Sequence, residues 1–265
     1  MTTTAYDVKN NLVACDTRWS ADFSLIDGNY ILLVDDTGFN KIAYRPGGAI
    51  FCAGDGKTIE KLKKWWLAEP FDPEALPDLE HEHEKKFKVS VMVVSSEGEK
   101  LFDAGPKQAL VDPEKENFIH AVFSGSGGAF AGHTFMQCGC VKTSVTAAET
   151  FDPYSGGQVK FCNITSGDSN LDDETMDYNS IMTAMDERGI LMKYTGFYAA
   201  NAENVQTIPL KEHPQFKDVS AQLQAGSVRA YAPMGGNEVE WNAERINKLK
   251  AAARKVADIE RRLKA

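Results

Sequence analysis

Apolar and polar positions alternate through residues 2–15, the period of a half-buried strand. Tyr30-Ile31-Leu32-Leu33-Val34 is a short apolar run of the kind found in buried strands. Gly47-Gly48 introduces a third strand over Ala49–Ala53, which ends at Gly54-Asp55-Gly56. Beyond that turn Ile59, Leu62, Trp65, Trp66 and Leu67 recur at helical spacing. Residues 68–86 hold Pro70, Pro73 and Pro77 and a charged Glu/His/Lys run, which predicts an irregular connector. Strands are expected again at Phe87–Val94, Lys100–Asp103 and Phe118–Phe123. The last of these leads into Ser124-Gly125-Ser126-Gly127-Gly128 and a helix through Phe135. A further helix is expected over Cys140–Thr150, stopped by Phe151-Asp152-Pro153-Tyr154-Ser155-Gly156-Gly157, before a strand at Val159–Ile164. Strands and helices therefore mix without a strict βαβ repeat.

The final part of the chain has a different texture. An acidic stretch from Asp168 to Glu174 opens a helix expected to run through Met185, and Leu191–Tyr198 reads as a strand. From Glu238 to Ala265 the chain is rich in Ala, Glu, Lys and Arg, with Ile246, Leu249, Ala253, Val256 and Leu263 near a/d spacing. That pattern predicts an amphipathic terminal helix, and packing on its own domain is favoured over a coiled coil between subunits.

Composition narrows the function classes. With 43% hydrophobic and 25% charged residues, the chain belongs among ordinary globular proteins. No apolar run approaches the ~20 residues of a membrane helix, and the start lacks the basic and apolar regions of a secretory signal, so a cytoplasmic address is expected. The net charge of −9 argues against nucleic acid as the main partner. The 5 cysteines show no paired framework and read as reduced core residues. His81 and His83 stand in a charged stretch without the paired Cys/His spacing of a zinc site, so no metal or other cofactor is expected.

Two glycine loops invite a nucleotide reading. Gly54-Asp55-Gly56-Lys57-Thr58 resembles the end of a phosphate-binding loop, but Phe51 stands where its first glycine would make the tight turn. In Gly125-Ser126-Gly127-Gly128-Ala129-Phe130, an aromatic takes the place of the third glycine of a dinucleotide fingerprint. Both readings fail at a defined position.

The run Thr2-Thr3-Thr4 opens a different chemistry. The small side chain at position 2 favours removal of Met1, which would leave Thr2 with a free α-amine of pKa about 8, a base beside its own hydroxyl. Further along stand Ala14-Cys15-Asp16-Thr17-Arg18, Lys41-Ile42 ahead of Cys52-Ala53-Gly54, the turn Gly125-Ser126-Gly127-Gly128, and Asp152-Pro153-Tyr154-Ser155-Gly156-Gly157. In that order, across residues 2–164, these segments resemble the catalytic β subunits of the proteasome and their bacterial HslV-type relatives, which are N-terminal-nucleophile (Ntn) threonine peptidases.

The resemblance implies an α+β fold, the four-layer αββα Ntn-hydrolase sandwich, over residues 1–166. Residues 167–265 would form a C-terminal extension with a helical ending, either integrated with the core or apart from it. It also implies roles. Thr2 Oγ would attack the scissile carbonyl with its own α-amine as base. Lys41 would lie beside the hydroxyl, Asp16 would hold Lys41, and Gly54, at the turn entering a helix, would offer its N–H to the oxyanion. Ser126, Asp152 and Ser155 would surround the free amine. The substrate would be a peptide or unfolded protein, the subunits would associate into a ring, and an ATP-dependent unfoldase would feed it. With Met1 retained the enzyme would be inactive. A catalytically silent assembly or interaction protein, or an Ntn amidase acting on a small-molecule amide, are the other outcomes these residues allow. The chain departs from the family at residues 68–86, too proline-rich for a full second helix, and at residues 167–265, which match no family segment.

Overall fold

A computed structural model describes residues 2–111, 118–171, 174–193, 206–236 and 239–265. The smaller of two sheets comprises β1 (Thr4–Asp7), β2 (Leu12–Cys15), β9 (Lys107–Val111), β10 (Ile119–Ser124) and β11 (Lys160–Asn163). Their order is β11-β2-β1-β10-β9, with every pair antiparallel. Residues 2–15, expected as one strand, thus form a hairpin. Asn10 donates its N–H to Asp7 Oδ1 and Asn11 takes a positive φ of 47°, a turn that the polar run Lys9-Asn10-Asn11 accommodates well.

The larger sheet comprises β3 (Trp19–Leu25), β4 (Gly28–Val34), β5 (Ile42–Arg45), β6 (Gly48–Asp55), β7 (Val89–Ser95), β8 (Lys100–Ala104), β12 (Ile190–Lys193), β13 (Thr207–Pro209) and β14 (Tyr231–Ala232). It is antiparallel in the order β13-β12-β4-β3-β14-β6-β7-β8, and β5 also pairs with β6. Strands from residues 190–232 therefore lie in the same sheet as strands from residues 19–104. Seven α-helices complete the described residues: α1 (Gly56–Trp66), α2 (Leu79–Glu84), α3 (Gly128–Cys138), α4 (Val141–Ala148), α5 (Asn179–Arg188), α6 (Phe216–Gln224) and α7 (Ala243–Lys264). The fold is mixed α/β with large antiparallel sheets.

The period of two along each strand decides what packs where. Tyr6, Val13, Val122 and Cys162 of the small sheet share one core with Ala49, Phe51, Met92 and Val94 of the large sheet. Their neighbours Ala5, Ala14 and Phe123 face the other way, onto Phe135, Val141 and Val145 of α3 and α4. Ile50, Cys52, Val91 and Val93 meet side chains of α1, α5, α6 and α7 in the largest core. Strand β6 is buried along its whole length because both of its faces are covered, which explains its unbroken apolar run.

Several expectations shift. The connector at residues 68–86 contains the short helix α2, started by Asp78 accepting from His81 N. The helix expected from Asp168 begins only at Asn179; residues 172–173 of that stretch, and residues 194–198 of the strand expected at Leu191–Tyr198, lie outside the described residues. Cys15, Cys52 and Cys162 are buried, and burial pushes each thiol up to about 12. Cys138 is exposed and Cys140 half-buried, so not all cysteines belong to the core. No helix among the described residues is long and apolar enough to cross a membrane.

Helix α7 packs on its own chain, burying Leu249, Ala253, Val256 and Ile259, while Leu263 is exposed. Near its end Glu260 Oε2 accepts from Arg45 Nε at 2.6 Å and Glu260 Oε1 from Lys264 at 2.9 Å. Burial opposes ionisation of Glu260, but the bonds from Arg45 and Lys264 outweigh it and hold the carboxyl below its usual range. We expect Glu260→Ala to cost about 3 kcal/mol by leaving Arg45 buried without this partner, lowering Tm by about 6–12 °C. The sign of the pH effect follows from a folded pKa below the unfolded one. The contribution is complete above the unfolded carboxylate value and is lost as pH falls through the depressed folded value. Melting curves at pH 7 and below pH 4 check this, since the wild-type advantage over the variant should shrink in acid.

Candidate active site

The hairpin and strand β10 set the start of the chain in the middle of the small sheet. Asp16 N donates to Thr3 O, which continues the β1–β2 ladder to the edge where Thr2 and Thr3 sit. Both threonines are buried without exposed surface. Lys41, just before β5, extends into the same place and is 1% exposed, while Asp16 is 2% exposed.

Around Thr2 the hydrogen bonding is dense. Lys41 Nζ lies 2.6 Å from Thr2 Oγ1, 2.8 Å from Asp16 Oδ1 and 2.8 Å from Arg18 O, which uses all three ammonium donors. Thr2 Oγ1 in turn donates to Asp16 Oδ1. Asp16 also accepts from Thr3 N at 2.9 Å, and through Oδ2 from Gly156 N at 3.2 Å and Arg18 N at 3.3 Å. A buried ion pair is tolerated only when its remaining donors and acceptors are met, and here they are. A hydroxyl gripped between an ammonium and a carboxylate has one group that favours its alkoxide and another able to take its proton.

A second set of bonds lies beside the first. Asp152 Oδ2 accepts from Ser126 Oγ and from Ser155 Oγ, each at 2.6 Å, and Ser155 Oγ stands 2.7 Å from Thr3 Oγ1. The polar group expected around the Thr2 amine therefore connects to the hydroxyl of Thr3. The loop that supplies Ser126 approaches very closely. Gly125 has φ +84°, and a Cβ there would stand 1.7 Å from Thr2 O. A Cβ on Gly127 would stand 1.9 Å from Thr3 Oγ1. The glycines in this turn are thus required by the threonines, not by a phosphate.

Gly54 does not join either cluster. It was expected on the turn entering a helix, but it belongs to β6, with Asp55 as the cap of α1, accepting from Thr58 N. Gly54 has φ +122° and pairs with Val89 on one side and Ala232 on the other. Its N–H faces the Ala232 side. Asp55 N–H turns the opposite way to Lys88 O, and Gly56 N–H returns to Ala230 O.

Thr3 and Arg18 are the site residues that the sequence reading passed over. Arg18 clamps Asp35 with two bonds of 2.8 Å and donates to Pro153 O at 2.8 Å and Ser155 O at 2.9 Å, fixing the loop that carries Ser155. Arg18 stands in the Asp16-Thr17-Arg18 segment and Thr3 in the threonine run, so the signal was present in both cases. Among the described residues, no group of three or more His, Cys, Asp or Glu side chains is placed to hold a metal ion. No protein-family model and no curated protein sequence matches the chain.

Proposed function

We propose that the chain is an N-terminal-nucleophile hydrolase of the proteasome β-subunit kind, a threonine peptidase that cleaves peptide bonds through Thr2 once Met1 has been removed. The observation that carries this reading is Lys41 Nζ at 2.6 Å from Thr2 Oγ1 and 2.8 Å from the buried Asp16 carboxylate. The succession of α3 and α4, small sheet, large sheet, and α1 with α5, α6 and α7 supports assigning the four-layer αββα arrangement.

On this reading Thr2 Oγ attacks the carbonyl carbon while the freed α-amine takes the hydroxyl proton and Lys41 stabilises the charge developing on oxygen. The α-ammonium then gives that proton to the leaving amine as the C–N bond breaks, and a water, deprotonated by the same amine, hydrolyses the acyl ester and restores Thr2. Asp16 positions Lys41. Ser126, Asp152 and Ser155 position the Thr2-Thr3 backbone through the hydroxyl of Thr3. Substrates are peptides or unfolded segments, and the subunits associate into a ring fed by an ATP-dependent unfoldase. Native mass spectrometry tests the ring.

The test of the chemistry is covalent labelling. Protein freed of Met1 should take up one β-lactone or epoxyketone per chain on Thr2, read by intact mass and peptide mapping, and Thr2→Ala should take up none. Correctly folded, processed protein that stays unlabelled, in the wild type and in variants that open the buried site, would sink the peptidase reading. The complete burial of Thr2 favours a second reading, a catalytically silent interaction protein. Thr2-dependent cleavage of a fluorogenic peptide excludes that one.

A further inference from the structure

Residues 229–236 run between two clefts. Gly235 and Gly236 line both: one of about 430 Å³ that reaches Gly54 and Asp55, and one of about 380 Å³ that reaches Gly125 and Ser126. The segment is anchored at its start. Arg229 Nη1 lies 2.9 Å from Asp55 Oδ1, and its guanidinium stands 3.3 Å over the Phe87 ring. Ala230 N donates to Tyr178 Oη at 2.7 Å, and Ala230 O accepts from Gly56 N at 2.9 Å. Tyr231 then pairs with Ser20 of β3 and Asp55 of β6, and Ser20 Oγ donates to Tyr231 O at 3.0 Å. Ala232 pairs with Gly54. Farther on, Gly235 comes so close to the glycine turn that a Cβ there would stand 2.8 Å from Gly125 O, and Gly125 itself lies against Thr2 O.

These contacts place a short piece of the chain between two strands of the large sheet and against the turn that touches Thr2. Strands β3 and β6 do not pair with each other, and the two-residue β14 fills the slot between them. An open slot of this kind accepts an extended chain through main-chain hydrogen bonds. While Ala232 occupies it, the Gly54 N–H is turned toward the protein's own backbone.

Resting on the reading of Thr2 as the nucleophile, we infer that residues 229–236 are an internal strap that holds the site closed, so that substrate reaches Thr2 only when the strap is displaced. A strand of two residues is a small cooperative unit, and such units open at a fraction of the cost of global unfolding. Displacement of the strap joins the two clefts into one channel past Gly54 and the Gly125 turn.

Two variants loosen the strap from opposite ends, the first away from the catalytic groups and the second against Gly125 and Ser126, so that its labelling rate is judged beside that of the first. Tyr178→Phe with Arg229→Ala removes the acceptor for Ala230 N and the ion pair to Asp55. Gly235→Val places a branched side chain at φ +65° against Gly125 O. Each is prepared free of Met1, checked for an intact melting transition, and followed by hydrogen exchange over residues 229–236 and by the labelling rate of Thr2 with a small β-lactone. We expect faster exchange in the segment and labelling about tenfold faster or more, because the accessible fraction of the site scales the apparent rate. Faster exchange with unchanged labelling overturns the strap while leaving Thr2 as nucleophile. If neither variant frees the segment, its anchors are not those described and the inference falls. Absence of labelling in wild type and in both released variants overturns the strap and the peptidase reading together.

Discussion

Replacing Lys41 by methionine is expected to destabilise the protein by about 3–5 kcal/mol and to abolish Thr2 reactivity. Lys41 is fully buried, and its loss leaves the Asp16 carboxylate in the interior without its cation. The amides of Thr3, Gly156 and Arg18 still reach Asp16, so the cost stays finite and the fold should persist. Asp16→Asn should be costly for the mirror reason, because an ammonium then stays behind with only Thr2 Oγ1, Arg18 O and an amide. The informative protein is the double variant. Removing both charges leaves neither ion stranded, so its loss should fall short of the sum of the single losses by about 1 kcal/mol or more. Denaturant unfolding of the four proteins measures the cycle. Simple additivity would mean that the two charges do not act as a pair. The reactivity readout is separate: all three variants should lose β-lactone labelling of Thr2, since none holds a cation beside the hydroxyl through a carboxylate.

How far these features were legible in the sequence follows from how each element is buried. Tyr30–Val34 and Ala49–Ala53 were readable because strands covered on both faces are apolar without a break. The terminal helix was readable from its stripe of Leu249, Ala253 and Val256. Strand β3 carries Trp19, Ala21, Phe23 and Leu25 at period two, and the signal was there to be found. Strand β14 carries none, since two residues held by the edges of distant strands have no period of their own. In the site, Thr2, Asp16, Lys41, Ser126, Asp152 and Ser155 do lie side by side, because the hairpin and the glycine turn fix them through backbone geometry. Sequence could not show that Ser155 meets Thr3, that Gly54 lies inside a strand, or that residues 229–236 come back across it. Those are contacts between residues up to about two hundred positions apart, and no local pattern encodes them.

Gly125→Ala should be among the most damaging single-atom-scale changes in the chain, and the comparison that shows why is Gly98→Ala. Both glycines have nearly the same backbone, φ +84° and +81°, so the intrinsic penalty for placing an L side chain there is shared, about 1–2 kcal/mol. Their surroundings differ completely. Nothing lies within 4 Å of a Cβ at position 98, whereas at position 125 it would fall 1.7 Å from Thr2 O. No rotamer relieves that contact, because the backbone fixes where Cβ stands and Thr2 O is itself backbone. Either the turn that carries Ser126 withdraws or Thr2 moves, and both break the geometry between the Asp152 network and the threonines. Gly98→Ala is therefore expected to lower stability by only the shared penalty and to leave Thr2 labelling unchanged. Gly125→Ala should cost about 2 kcal/mol more, since shifting packed backbone adds to the conformational strain. It should also slow Thr2 labelling by about 100-fold, the usual consequence of displacing a reacting group by ~1 Å. Thermal melts and labelling rates of the two variants, measured together, separate the strain of the left-handed backbone from the close approach. Equal losses in both would show that the Gly125 turn does not press on Thr2, and the contact through which the turn and the strap bear on the nucleophile would have to be abandoned.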